Sequence, residues 1–178
     1  MKKGLIFLPV LIAGLMVTGC DKKGGKEQSG IIEGIPESGT GYYLTCDTDE
    51  GTRYINGKMA ATYYLGLTET KDAAVTFKVE TSGENFTLQV ENGSNQGKYL
   101  ALVASGTHVN AVYQAAAYDF TWHEEELDEG TFGGIGGQVA TEGYSPSWYL
   151  LGNQPGKDTV GTVFKKYWPT NYLVRLEK

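Results

Sequence analysis

From residue 41 onward, short runs rich in Tyr, Val, Leu, Phe and Thr alternate with Gly, Asn, Ser and Asp, and almost nothing carries the period of a helix. Ten runs read as strands: 42–46, 63–67, 75–80, 86–90, 99–103, 109–113, 120–123, 148–151, 160–164 and 172–176. β-Branched and aromatic side chains suit a pleated, half-buried surface, and the intervening Gly, Asn and Asp suit turns. Strands this close together predict an all-β domain with a closed or nearly closed sheet, since open edges invite pairing with other chains. Asn56-Gly57, between Tyr54-Ile55 and Lys58-Met59, predicts a type I′ hairpin turn, which needs φ > 0 at both central positions.

Tyr-Leu recurs at Tyr64-Leu65, Tyr99-Leu100 and Tyr149-Leu150, each followed by a polar loop, a second short strand and an aromatic-led strand closing on Glu. The closers are Phe77–Glu80, Phe120–Glu124 and Tyr172–Glu177. Period-2 alternation turns Leu65, Leu100 and Leu150 inward and the preceding tyrosines to the other face. The pattern, with Gly97-Lys98-Tyr99-Leu100 as its fullest example, resembles the β-trefoil superfamily, in which three units of about four strands surround a pseudo-threefold axis. The resemblance implies units of roughly 41–80, 85–125 and 138–178. The Tyr-Leu pairs are 35 and 50 residues apart, and the excess is assigned to an acidic, then glycine-rich insertion over 124–137. A lipocalin-like or other antiparallel β-barrel is the alternative. The body is also similar to modules of exported proteins from gut Firmicutes.

The first residues read as an export signal. Lys2 and Lys3 precede an uncharged apolar run over 4–18, then Gly19 and Cys20. At about 1.5 Å per helical residue that run spans roughly 22 Å, short of the ~30 Å hydrocarbon core of a bilayer. Val17-Thr18-Gly19-Cys20 resembles the bacterial lipobox, which implies cleavage after Gly19 and acylation of Cys20. Two or three acyl chains anchor stably where one does not. The expectation is a signal peptide over 1–19, a lipidated Cys20 with a flexible Gly- and charge-rich tether to residue 40, and a body over 41–178. Ile31, Ile32 and Ile35 are expected to dock on that body as an early strand. The protein is placed in the bacterial cell envelope, held to the membrane through Cys20 and facing outside the cytoplasm.

Charge narrows the partners. The whole chain is formally −6, and losing residues 1–19 removes Lys2 and Lys3 and no acid, leaving −8. Such a body is repelled by anionic headgroups, so the lipid must do the anchoring, and it lacks the basic stripe that nucleic acid requires. With Cys20 lipidated, Cys46 has no disulfide partner and reads as a small buried hydrophobe beside Leu44.

No catalytic constellation emerges, and no cofactor is expected. His123-Glu124 lacks a second histidine at 127, where Leu stands. Gly143-Tyr144-Ser145-Pro146-Ser147 lacks the second glycine of a nucleophile elbow. Gly133–Gly137 lacks the Lys-Ser/Thr ending of a phosphate loop and reads as a mobile loop. Asp47-Thr48-Asp49-Glu50-Gly51 spaces oxygen ligands closely, yet an EF-hand register demands Glu where Lys58 stands. It and the Glu124–Glu129 run read as solvated loops, with no metal site assigned.

Twelve Tyr and three Trp exceed what filling the core needs. Aromatic faces stack on the C–H surfaces of sugars while amides and acids fix the hydroxyls. Tyr144 and Trp168, each near a proline, are the expected exposed aromatics, with Asn153, Gln154 and Asp158 as polar partners on the loop after the third Tyr-Leu strand. The Gln-x-Trp signature of ricin-type lectins is absent. The expected role is a non-catalytic binding module, with glycan the leading ligand. An envelope interaction subunit holding another protein and a lipocalin-like carrier of an apolar ligand are the other roles.

Overall fold

Every strand pairing in the structure is antiparallel. A computed structural model describes residues 30–178, so the signal segment, Cys20 and the first part of the tether lie outside the described residues. The strands are β1 (Ile31–Ile32), β2 (Gly41–Thr48), β3 (Gly51–Ala61), β4 (Tyr64–Thr68), β5 (Phe77–Ser82), β6 (Asn85–Val90) and β7 (Tyr99–Ser105). They continue as β8 (His108–Gln114), β9 (Phe120–Leu127), β10 (Gly130–Val139), β11 (Ser147–Asn153), β12 (Thr159–Phe164), β13 (Tyr172–Leu173) and β14 (Arg175–Glu177). The helical content of the described residues is two 3-10 turns, Lys71–Ala73 and Lys165–Thr170. The chain is therefore all-β, as its sequence predicts.

One pairing scheme occurs three times. A first strand pairs with the near strand of a hairpin (β2–β3, β6–β7, β10–β11), and the hairpins are β3–β4, β7–β8 and β11–β12. β5 links β2 to β6 and β9 links β6 to β10, whereas at the end of the chain β14 returns to β2 and β13 pairs with β11. Between hairpins, β4 pairs with β12 and β8 packs against both.

Alternation along these strands builds the core. Tyr42, Leu44 and Cys46 of β2, Phe77 and Val79 of β5, and Phe86, Leu88 and Val90 of β6 are all buried. Each large apolar side chain so placed contributes about 1.5–3 kcal/mol of transfer free energy. Leu65, Leu100 and Leu150 are buried, as alternation requires, and Tyr64 is exposed. Burial pushes the Cys46 thiol up to about 12, which makes it the inert hydrophobe its strand position implies.

Ladder register corrects the repeat. Tyr99 opposes Gln89 on β6, Tyr149 opposes Gly137 on β10, and the residue in that place in the first unit is Tyr54, opposite Thr45 on β2. The recurring pair is thus Tyr54-Ile55, Tyr99-Leu100 and Tyr149-Leu150, 45 and 50 residues apart, with Ile55, Leu100 and Leu150 all buried. Tyr64-Leu65 belongs to the far strand of its hairpin. The stretch 124–137 is not an insertion either. It holds the end of β9, a tight turn and most of β10.

Two turn predictions fail for identifiable reasons. Asn56-Gly57 lies inside β3 as a bulge, because its polar groups are satisfied sideways. Asn56 Nδ2 donates to the Leu67 carbonyl, its Oδ1 accepts from Lys58 N–H, and Asn95 Nδ2 donates to the Gly57 carbonyl. Only Gly57 takes positive φ, at 72°. Gly133–Gly137 is not a loop but the buried middle of β10. A Cβ at Gly136 would stand 2.5 Å from Leu150 Cδ2 and closer still to the Tyr149 carbonyl oxygen, and one at Gly137 would strike the Tyr118 hydroxyl. These glycines permit close strand approach.

The packed body begins before residue 41. β1 pairs with β14, and Gly39 N–H donates to the Val79 carbonyl. Ile32 packs against the core and Pro36 is buried, whereas Ile35 is half exposed and does not dock.

Candidate functional site

The side chains of β4, β8, β11 and β12 face a broad open groove of about 1620 Å³ where the three hairpins meet. Among the described residues, seven large apolar side chains are exposed to solvent, and five of them line this groove: Tyr63, Tyr64, Tyr144, Phe164 and Tyr167. The clustering points to a binding surface, because single exposed hydrophobes scatter when nothing gathers them.

Each aromatic is held by local structure. Tyr63 occupies the tight turn of the β3–β4 hairpin, where both neighbours are exposed. The Tyr64 ring lies over Gly161 of β12, where a Cβ would come within 3.0 Å of Tyr64 Cδ1 and Cε1. The Phe164 ring tilts against Tyr149, centroids 5.5 Å apart. Tyr167 sits on the 3-10 turn Lys165–Thr170, and its carbonyl accepts hydrogen bonds from Asn171 Nδ2 (2.6 Å) and Thr170 Oγ1 (3.1 Å).

Trp168 anchors that turn from below. It is completely buried beside Leu150 and Val163, and its Nε1–H donates to the Val163 carbonyl at 3.0 Å. The expectation of an exposed, ligand-stacking Trp168 is corrected: the neighbouring Tyr167 reaches the groove, and Trp168 fixes where it stands. Neighbouring side chains of the turn point in different directions, and here Trp168 goes in while Tyr167, half exposed, goes out.

Asn153 is corrected in the same way. It is fully buried, and its Nδ2–H groups donate to the Lys157 and Thr159 carbonyls, folding the 154–158 loop back onto β11. It shapes the loop that brings Gln154, Pro155 and Lys157 to the groove. Asp158 is exposed and does not line the groove, while Tyr144, 69% exposed, does. Of the candidates from the sequence, Tyr144 and Gln154 therefore reach this surface. Tyr63, Tyr64, Phe164 and Tyr167 were missed, although two adjacent tyrosines at a strand start are a legible signal, since alternation buries at most one.

The acidic turn at 47–51 is engaged by protein groups. Asp49 Oδ2 accepts the Gly156 N–H at 2.9 Å and its Oδ1 accepts the Tyr172 hydroxyl at 2.8 Å. Asp47 accepts from Thr52 Oγ1 and pairs with Arg175. Glu124–Leu127 is strand rather than loop, with only Asp128-Glu129 in the turn. Among the described residues, no group of three or more His, Cys, Asp or Glu side chains stands close enough to hold a metal ion.

A smaller recess of about 370 Å³ adjoins the groove and shares Ser147 and Phe164 with it. It is lined by His123, Glu125, Trp148 and Lys165 as well. Lys165 bonds to Glu125 and holds its carboxyl below the usual carboxylate range. Compared with known family models, curated proteins and solved structures, the chain matches none.

Proposed function

We propose that this chain is a non-catalytic glycan-binding module of β-trefoil type, carried on the outer face of a bacterial membrane by a lipid on Cys20. The gathering of five of the seven exposed large apolar side chains into one groove is the observation that carries the reading. Tyrosine faces offer flat apolar platforms for sugar rings, and Asn110, Gln154, Asn171 and Thr162 supply donors and acceptors for hydroxyls along the same surface.

The trefoil reading is supported by the threefold pairing scheme and by the near-even spacing of Tyr54-Ile55, Tyr99-Leu100 and Tyr149-Leu150. A carrier of the lipocalin kind needs an apolar cavity inside the sheet. Here Phe77, Phe86, Phe120, Leu88 and Leu100 pack together in that interior, and the large groove is open and mixed in polarity. Groove residues run from Tyr63 to Asn171, so residues 30–40 stay clear of it.

The direct test is a glycan array probed with the purified chain. Binding that is lost in Tyr64→Ala and Tyr167→Ala, with thermal stability unchanged, supports the reading, and silence across the array removes it. Fractionation of cells carrying Cys20→Ser tests the anchor: the variant leaves the membrane fraction if the lipid holds it there.

A further inference from the structure

The groove differs from the rest of the molecule in charge. The chain carries 21 Asp and Glu against 15 Lys and Arg, yet among the described residues no carboxylate lines the groove. Its ionisable cations are Lys157 and Lys166, with His108 alongside. Asp158 and Glu142 are next in sequence to the lining residues Lys157 and Thr141, but both are exposed and neither lines the groove.

Elsewhere among the described residues most cations are neutralised. Arg53, Lys71, Lys78, Lys165, Arg175 and Lys178 all stand in ion pairs. Among the described residues, Lys157 and Lys166 pair with no carboxylate. The same holds for Lys58 and Lys98, which lie away from the groove. The contrast between neighbours is sharp: Lys165 reaches Glu125 in the adjoining recess, while Lys166 Nζ lies 4.6 Å from the centroid of the Tyr167 ring. A cleft lined by one sign of charge concentrates field and favours ligands of the opposite sign, most of all in a protein whose remaining surface repels them.

We infer that the groove takes an acidic oligosaccharide, one carrying uronate carboxylates, with sugar faces against Tyr64 and Tyr167 and carboxylates against Lys157 and Lys166. This rests on the glycan reading above and narrows it. Two lysines match one or two ligand charges, whereas a polysulfated chain calls for a dense basic strip. Lysine is a compact point charge, suited to an exposed carboxylate with no demand for two-pronged geometry.

The test uses the full chain in detergent on an array of neutral, uronate-bearing and sulfated oligosaccharides, followed by calorimetry with hexagalacturonate and cellohexaose at low and high salt. The expected result is preference for uronate-bearing sugars, weakening as salt rises. Lys157→Ala/Lys166→Ala is expected to lose about five- to ten-fold in affinity for the acidic sugar, the worth of two exposed ion pairs, and to lose clearly less for any neutral sugar. Binding confined to neutral sugars, indifferent to salt and to the lysine variant, overturns the acidic inference and leaves the glycan reading standing. Binding confined to sulfated sugars overturns the uronate assignment. No binding to any sugar removes both.

Discussion

The imidazole of His123 lies flat on the indole of Trp148, ring centroids 3.8 Å apart and planes 13° apart. The same imidazole meets the Trp168 ring edge-on at 5.6 Å. Three rings thus join β9, β11 and the 3-10 turn Lys165–Thr170, and the buried one carries the groove wall above it. Trp168→Ala is expected to cost about 3–5 kcal/mol in denaturant unfolding. Trp168→Phe keeps most of the packing and leaves the Val163 carbonyl without its donor, for about 1–2 kcal/mol. Full stability in Trp168→Ala would contradict the anchoring role.

Gly161 decides where Tyr64 can lie. A methyl group there stands 3.0 Å from the ring. Gly161→Ala is therefore expected to displace Tyr64 and weaken ligand binding by about as much as Tyr64→Ala, roughly two- to ten-fold for one stacking platform. Calorimetry on both variants checks it, and a Gly161→Ala protein that binds as tightly as the parent would refute the contact.

Within β10, neighbouring glycines differ in kind. Gly136→Ala drives a methyl into the Tyr149 carbonyl and the Leu150 backbone, and overpacking of that sort costs about 1–3 kcal/mol. At Gly134 the nearest atoms are side-chain carbons of Leu150 and Leu173 at 3.3 Å and beyond, so Gly134→Ala is expected to be milder. Urea midpoints for the two variants should rank accordingly.

Cys46 sets an alkaline limit. Its folded thiol titrates near 12, and in the unfolded chain it ionises near ~8.5. Below the unfolded value both states keep the proton and the stability is fully present. As pH rises from about 9 toward 12 the unfolded chain sheds a proton that the native state retains, and stability is lost. Tyr118, also raised to about 12 by burial, adds to the decline at the upper end. Urea midpoints between pH 8 and 11 should fall less steeply in Cys46→Ala. At neutral pH, alkylation of the Cys46 peptide should be slow in native protein and fast in denaturant.

Asp49 couples the β2–β3 turn to the β11–β12 loop and to β13. Asp49→Ala removes the acceptor for the Gly156 N–H and the Tyr172 hydroxyl and is expected to cost about 1–2 kcal/mol. Hydrogen exchange should rise in 154–158, and binding through Lys157 should weaken with it. Added Ca²⁺ should not restore either, since the oxygens serve the protein itself.

Period-2 alternation was enough to locate the β2, β5 and β6 cores and the inward leucines, because burial on one face leaves a local mark. Turn chemistry was less informative. Asn56-Gly57 has the composition of a hairpin turn, and Asn95, 39 positions away in sequence from Asn56, completes its hydrogen bonding inside a strand. The glycines of β10 look like a loop until Leu150 and Tyr118 are placed against them. At the groove, Tyr144 was legible because it sits by a proline in a loop. Tyr167 was not: its exposure depends on Trp168 taking the buried place, and which of two adjacent aromatics goes in is decided by a pocket made from distant strands.

Tyr64, His108 and Tyr167 come to the groove from three different thirds of the described residues, 30–178. A fragment without any one of these thirds lacks part of the groove wall, so truncation in any third is expected to abolish binding. A bound sugar works the other way, as a clasp: by touching all three thirds at once it resists the loosening of each, so occupancy should register as protection throughout the molecule and not only at the contact.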